Sequence, residues 1–291
     1  MADVTEQAPP STGPVWPEIA ADHPLSKLLA KLPELTKEAD YSEVYGIDLS
    51  TGTDFQKKLI LQKFLRANSD DLDKATTQLL ETLKWRKSFN PLATRDETFS
   101  KAGFAGLGYV TTVSGVPGSP NERDVVTFNV YGAAAKDIKA TFGDLDQFMR
   151  WRVGIMELSL AALDLPGATK PIPDFGAGPD PHQGIQVHDY LQVSFLRQNP
   201  DQRAAAKAAI DTFSKYYPET LSRKFFVNVP VVMGWFYNAV KLMLSAETVR
   251  KFMMLSYGSY LAGELGDGVP EAYGGKGPTL ESTATQPKLE A

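Results

Sequence analysis

The amino-acid sequence predicts an α/β protein, a helical N-terminal bundle followed by a larger domain built on a mainly parallel sheet. Three observations carry this expectation. Between residues 53 and 89 the apolar side chains Phe55, Leu59, Ile60, Phe64, Leu65, Leu79, Leu80, Leu83 and Trp85 recur at helical spacing. From about residue 104 the period falls to two. Residues 184–230 then read as strand, helix and strand with short joints, a βαβ unit whose strands run parallel with the helix against them.

In chain order, residues 1–20 are rich in Pro, Ser and Thr and are expected to be disordered. Residues 21–98 form the helical subdomain. A first helix is predicted over 25–35 and an irregular connection over 41–47, and Ser69-Asp70-Asp71 starts a new helix within 53–89. Residues 99–276 form the sheet domain. Strands are predicted over 108–113 and 124–131, with a turn-rich loop between them. On the second strand Val126, Phe128 and Val130 share one face, and Val125, Thr127, Asn129 and Tyr131 share the other. A long helix follows over 144–163. Arg152 falls on its apolar side with Phe148, Ile155 and Met156, whereas Arg150 falls beside Asp146 and Gln147, so Arg152 is the arginine expected to point inward. Residues 166–183, with five prolines, make a long loop, and 277–291 a flexible tail.

The βαβ unit begins with a strand predicted over 184–194. Ile185, Val187, Leu191 and Val193 lie on one face; Gln186, His188, Tyr190, Gln192 and Ser194 lie on the other. A helix over 201–215 ends before Tyr216-Tyr217-Pro218, because proline disfavours helical geometry in the residue before it. The second strand spans 224–229. Residues 231–244 are apolar almost all round, which suits either a buried core helix or a flap that covers an apolar cavity and meets lipid. At that length the helix is too short to span a bilayer.

Composition narrows the function. The 291 residues carry a net charge of -5, which argues against nucleic acid as the main partner. Cysteine is absent, which excludes disulfides, thiolate catalysis, Cys-ligated zinc, iron–sulfur clusters and covalent haem attachment. No signal peptide or transmembrane run is present, so a cytoplasmic protein with at most peripheral membrane contact is expected. Gly274-Gly275-Lys276-Gly277 lacks the spacing of a phosphate loop, and Gly176-Ala177-Gly178 precedes a proline where a dinucleotide site needs a helix. A strand with one polar face is ordinarily half solvated; the alternative is that Gln186, His188 and Tyr190 face a ligand.

Several ordered blocks bear on that choice. Phe64-Leu65-Arg66-Ala67, Asp73-Lys74-Ala75, Trp85-Arg86, Tyr216-Tyr217-Pro218-Glu219, Asn228-Val229-Pro230 and Tyr273-Gly274-Gly275 resemble, in the same order, the CRAL-TRIO or Sec-fourteen-like lipid-binding family. Tyr131-Gly132, residues 152–157, Val187-His188-Asp189-Tyr190 and residues 226–230 resemble more narrowly a fungal branch of that family, regarded as non-classical phosphatidylinositol transfer proteins that also bind haem. The resemblance implies a sheet flooring an apolar pocket under a gate helix, here 231–244.

It also implies two sites. A phosphatidylinositol headgroup site falls on Arg66, Glu219, Thr248 and Lys251, where cations offset phosphate and the carboxylate and hydroxyl bond inositol. The small hydroxyl residues of the family's phosphatidylcholine site align with Gly184 and Gln186, so choline-lipid exchange is not expected. A haem b site falls on Tyr190 as axial ligand of the iron, with His188, Tyr131, Arg152 and Lys224 around it. Side chains of His188 and Tyr190, two apart on one strand face, are about 7 Å apart, so a single iron takes one of them axially. The resemblance gives that role to Tyr190, with His188 as second ligand or hydrogen-bond partner. A phenolate favours ferric iron, and Arg152 or Lys224 suits a haem propionate.

The bland readings are that Arg152 snorkels or pairs with Glu157, that Glu219 caps a turn, that Thr248 caps a helix, and that His23 and His182 are surface residues. Three functions follow. The first is haem binding, linked to oxidant stress, together with phosphatidylinositol transfer at endoplasmic reticulum or plasma membranes. The second is phosphatidylinositol transfer without haem, supporting phosphoinositide homeostasis. The third is a peroxidase-type haem enzyme. For the third, no acid–base pair besides His188 stands near the expected iron, and the chain is expected not to be an enzyme.

Overall fold

A computed structural model describes residues 13–193, 199–230 and 251–290, with the backbone alone at residue 136. The predicted gate helix and Thr248 lie outside the described residues. Three helices open the chain: α1 (Pro24–Ala39), α2 (Asp54–Ala67) and α3 (Leu72–Phe89). Each begins on a side chain that accepts a backbone N–H: His23 for α1, Thr53 in a reciprocal capping box with Gln56 for α2, and Asp71 for α3. Leu25, Leu28, Leu32 and Leu35 recur every three or four residues and are buried against the other helices. Each buried leucine contributes roughly 1.5–3 kcal/mol. The connection expected to be irregular holds a tight antiparallel pair, Glu43–Val44 with Ile47–Asp48, turning at Tyr45 and Gly46, both at positive φ.

Five strands make the main sheet in the spatial order β1 to β5: β1 (Gly108–Ser114), β2 (Arg123–Val130), β3 (Gly184–Asp189), β4 (Leu221–Val227) and β5 (Phe252–Leu255). The first pair is antiparallel and the other three are parallel, so the sheet is mainly parallel as predicted. Helices α4 (Leu145–Leu163) and α5 (Pro200–Tyr216) are the crossovers.

Four local expectations need correction. Strand β3 ends at Asp189, five residues early, because Asp189 Oδ1 accepts from Leu191 N at 2.8 Å and turns the chain through Gln192 at φ 66. Leu191 is consequently 55% exposed and not part of the apolar face. The other βαβ strand starts at Leu221, three residues before its expected position, and ends at Val227. The edge strand β5 carries no polar alternation in Phe-Met-Met-Leu and was not foreseen. His23 and His182 are half-buried, His23 meeting Asp174 and His182 the Lys170 carbonyl.

One sheet face packs Tyr109, Val113, Val126, Phe128, Ile185, Val187, Phe225 and Val227 under Leu261, Leu265, Val269, Tyr273 and Leu280. The segment expected as a flexible tail makes defined contacts, Leu280 in that core and Lys288–Glu290 pairing in parallel with Thr98–Ser100. The opposite face looks toward α4 and α5. Two buried charge clusters join the lobes. Arg86 of α3 bonds Glu43 and Glu157, the latter also accepting from Tyr217 Oη at 2.6 Å, and Lys63 of α2 pairs with Asp180 at 2.7 Å.

Candidate functional site

The face toward α4 and α5 has a regular layout set by strand register. Thr127 and Asn129 of β2 lie opposite Gln186 and His188 of β3, which lie opposite Lys224 and Phe226 of β4, with Phe252 and Met254 of β5 beyond. Tyr131 and Tyr190 extend the first two rows past their strand ends. The Tyr131 ring lies 5.5 Å from both the His188 and the Tyr190 rings, and Phe226 lies 5.6 Å from His188 and 6.2 Å from Tyr190. Arg152 comes from α4, 2% exposed, its guanidinium 4.4 Å over the Phe213 ring of α5 and interacting electrostatically with Tyr131. Its neighbour Arg150 turns away to Glu97. Glu157 is committed to Arg86 and Tyr217, so it does not neutralise Arg152.

Tyr190, His188, Tyr131, Arg152 and Lys224 are therefore brought together. Burial, then Lys224 and Arg152, push the His188 imidazole well below its usual range, so it is neutral, and its Nε2 faces Gln186 Oε1 at 3.2 Å. Lys224 is half-buried as a residue, yet its ammonium lies deep, near the Phe226 and Phe252 rings. Burial and then Arg152 bring it down to about 7. The Tyr190 phenol is pushed up by burial and by Tyr131, with Arg152 pulling it back; Tyr131 is pushed up by burial against Arg152. Without a ligand both phenols keep their protons.

This face carries a cluster of unsatisfied polar groups. Among the described residues Arg152 Nε and Nη1, both amide atoms of Asn129 and Thr127 Oγ1 are buried without hydrogen-bond partners. Each such group costs about 1–3 kcal/mol. Among the described residues no ion pair joins a carboxylate to Arg152 or Lys224. A flat ligand with an apolar middle and two carboxylates matches the aromatic walls and the two cations, and a phenol and an imidazole stand ready for iron, so the residues present fit haem b. Thr127 and Asn129 were missed as candidates, although they share strand parity with Tyr131, because neither is an ordinary iron ligand.

The headgroup candidates are only partly assembled. Glu219, at φ 52 and with a 5% exposed side chain, holds Lys251 Nζ at 3.5 Å and Gln183 Nε2 on the same oxygen, Oε2. Arg66 Nη1 instead donates to the carbonyls of Pro173 (2.7 Å) and Asp174 (2.9 Å), tying the 166–183 loop to α2. At the positions of the family's choline-lipid residues stand buried Gly184 and half-buried Gln186, whose amide meets Met156 Sδ at 3.8 Å. Among the described residues no helix is long and apolar enough to cross a membrane.

Comparison with known proteins places this geometry. The profile described as CRAL/TRIO domain matches residues 113–275, and that described as CRAL/TRIO, N-terminal domain matches residues 24–81. A protein of Phaeosphaeria nodorum named phosphatidylinositol transfer protein SFH5 is 59% identical over 289 residues, 99% of this chain and 87% of its own. One of the same name from Cryptococcus neoformans var. neoformans is 49% identical over 288 residues, 96% of this chain and 95% of its own. The crystal structure of Sfh5 superposes with a TM-score of 0.79 at 30% identity, covering 94% of this chain and 95% of that one. The helical lobe, the mainly parallel sheet and these matches agree: the chain belongs to the CRAL-TRIO family.

Proposed function

We propose that the chain is a phosphatidylinositol transfer protein whose sheet pocket would also bind ferric haem b, with Tyr190 as the residue that would hold the iron. The lipid activity is supported by the names of its relatives and by the Glu219–Lys251 pair, a carboxylate and a cation placed together as an inositol phosphate headgroup requires. The haem reading is supported above all by the enclosed cations Arg152 and Lys224, which form no ion pair with a carboxylate among the described residues.

When bound, haem supplies a ferric centre that takes a phenolate and two propionates that take cations. The remaining work falls to the chain. Arg152, close enough to act on Tyr131 and Tyr190, lowers the cost of ionising Tyr190; Lys224 and the unpaired edge of Arg152 would take up carboxylate charge. Neutral His188 serves as second ligand or as hydrogen-bond partner through Gln186. Phe226, Phe252 and Phe213 give the walls. The function assigned is carriage or sensing, linked to oxidants, rather than peroxidase catalysis, in keeping with relatives named as transfer proteins. Lipid exchange requires reversible contact with a membrane, for which the endoplasmic reticulum and plasma membrane are the proposed sites.

The test is the visible spectrum of the purified protein, with pyridine haemochrome quantification and lipid extraction from one sample, repeated on Tyr190→Phe. Near-stoichiometric haem, lost in the variant while inositol-lipid transfer persists, is the expected result. Unchanged haem content in Tyr190→Phe removes the ligand assignment, and a colourless wild type after haem supplementation leaves a phosphatidylinositol carrier alone.

A further inference from the structure

Three residues beside Glu219 have no part in the readings above. Lys63 of α2 forms an ion pair with Asp180, both side chains at 0% exposure. Its ammonium gives its other two protons to the carbonyls of His182 at 2.8 Å and Glu219 at 2.9 Å, so all three donors are used. Gln183 Nε2 donates to the Glu219 carbonyl at 3.3 Å and to Glu219 Oε2. Asp180 Oδ1 in turn accepts from His182 N at 2.7 Å, which closes the loop around the ammonium.

Glu219 itself sits in the left-handed region, where a residue with a long side chain is strained unless its surroundings hold it. The surroundings here are the clamp just described. A buried charge pair is not the most stabilising way to join two lobes, since apolar residues of equal volume do as well or better. What it adds is direction: one ammonium fixes two carbonyls and a carboxylate about a single point. Lys251 and Gln183 both occupy Oε2, and none of these bonds uses Oε1.

The geometry points to Lys63, Asp180 and Gln183 as positioning residues that hold Glu219 so that its Oε1 accepts from the hydroxyls of a polyhydroxylated phospholipid headgroup. The inference rests on the headgroup reading of Glu219 and adds its specificity device. A phosphate alone is met by Lys251; only the aimed carboxylate distinguishes a headgroup that carries hydroxyls.

The experiment uses the full chain and vesicles containing either phosphatidylinositol or phosphatidic acid, which shares the phosphate and lacks the hydroxyls. Lys63→Met with Asp180→Asn removes both charges together, so no uncompensated buried charge remains. The expected result is a fall of about tenfold in phosphatidylinositol binding, the scale of one charge-assisted hydrogen bond, with phosphatidic acid binding unchanged. A general loss of structure lowers both lipids alike. Equal losses, or wild-type selectivity in the double variant while Glu219→Ala loses it, overturn the positioning role. A Glu219→Ala protein with wild-type selectivity overturns the headgroup reading itself, and the clamp with it. Should the double variant not fold, Gln183→Leu, which touches only Glu219 Oε2 and its carbonyl, must show the same selective loss; wild-type selectivity there overturns the proposal.

Discussion

The two faces of strand β3 show how differently adjacent buried polar residues are treated. On the face under the C-terminal segment, Asp189 is satisfied from three sides: Tyr273 Oη at 2.9 Å, Asn228 Nδ2 at 2.7 Å and Leu191 N at 2.8 Å. Asn228 passes the link on, its Oδ1 accepting from Gly258 N at 2.7 Å, so the network ties three strand ends together. On the face toward α4 and α5, one residue away, Asn129 and Arg152 keep unpaired atoms, and Lys224 has its charge suppressed. Asp189 completes its bonds, whereas Arg152, Asn129 and Thr127 do not; on the first face the one comparable atom among the described residues is Asp124 Oδ2, at the far end of its strand. A polar group that completes its bonds within the chain specifies the fold, whereas one buried without them is preorganised for something the chain does not contain.

If that contrast holds, removing a polar group must have opposite effects on stability on the two faces. The largest effect belongs to Asp189→Ala, which strands the buried Tyr273 hydroxyl and takes its partner from the half-buried Asn228 amide. It is expected to cost about 3 kcal/mol or more, read from urea unfolding of ligand-free protein. Arg152→Met, of similar length and without charge, is expected to raise ligand-free stability by about 1 kcal/mol, because it removes a buried cation with no counter-charge. The same change should lower haem retention. A destabilised Arg152→Met protein would show that the interaction with Tyr131 and the stacking on Phe213 outweigh the cost of burial, and the contrast would collapse.

Much of the satisfied face was legible in the sequence and much of the unsatisfied one was legible only as a puzzle. Period-two alternation through Val126, Phe128, Ile185 and Val187 identified the apolar face, since burial on one side of a strand leaves a direct imprint on spacing. The same parity put His188 and Tyr190 on one face of their strand, helical spacing told Arg152 from Arg150, and Tyr131 joined the pair only through the family resemblance. Spacing could not reveal what Arg152 meets, because its partners Tyr131 and Phe213 come from distant parts of the chain. Nor could it reveal that Asp189 ends the strand, a matter of one side chain competing with the ladder. The Lys63–Asp180 pair spans 117 positions, and a lysine within an amphipathic helix ordinarily faces water. Position β5 was lost for a simpler reason: four apolar residues carry no period.

The smallest of the expected effects follows from Lys224 and tests the contrast through pH rather than through the size of a stability loss. Its folded pKa is depressed to about 7, whereas in the unfolded chain it titrates near 10.4, so between these values the unfolded state binds more protons. Stability must therefore rise with pH across that window; below pH 7 the charge is present in both states and its burial cost is fully felt. His188, depressed below its usual 6.5, acts in the same sense at lower pH, with stability falling as pH drops through 6.5 and the unfolded imidazole gains its proton. Because Lys224 as a residue keeps some exposure, the gain from pH 7 to 8 is expected to stay below about 1 kcal/mol. It is best read as a difference in urea midpoints between wild type and Lys224→Met, which cancels the titration of all other groups. A flat difference across that interval would mean that the ammonium already has a compensating partner or free access to water, and the unsatisfied face would be reduced to Arg152 and Asn129. A rising one, abolished when a dicarboxylate ligand is added, would show the suppressed charge restored by the anion it was placed to meet.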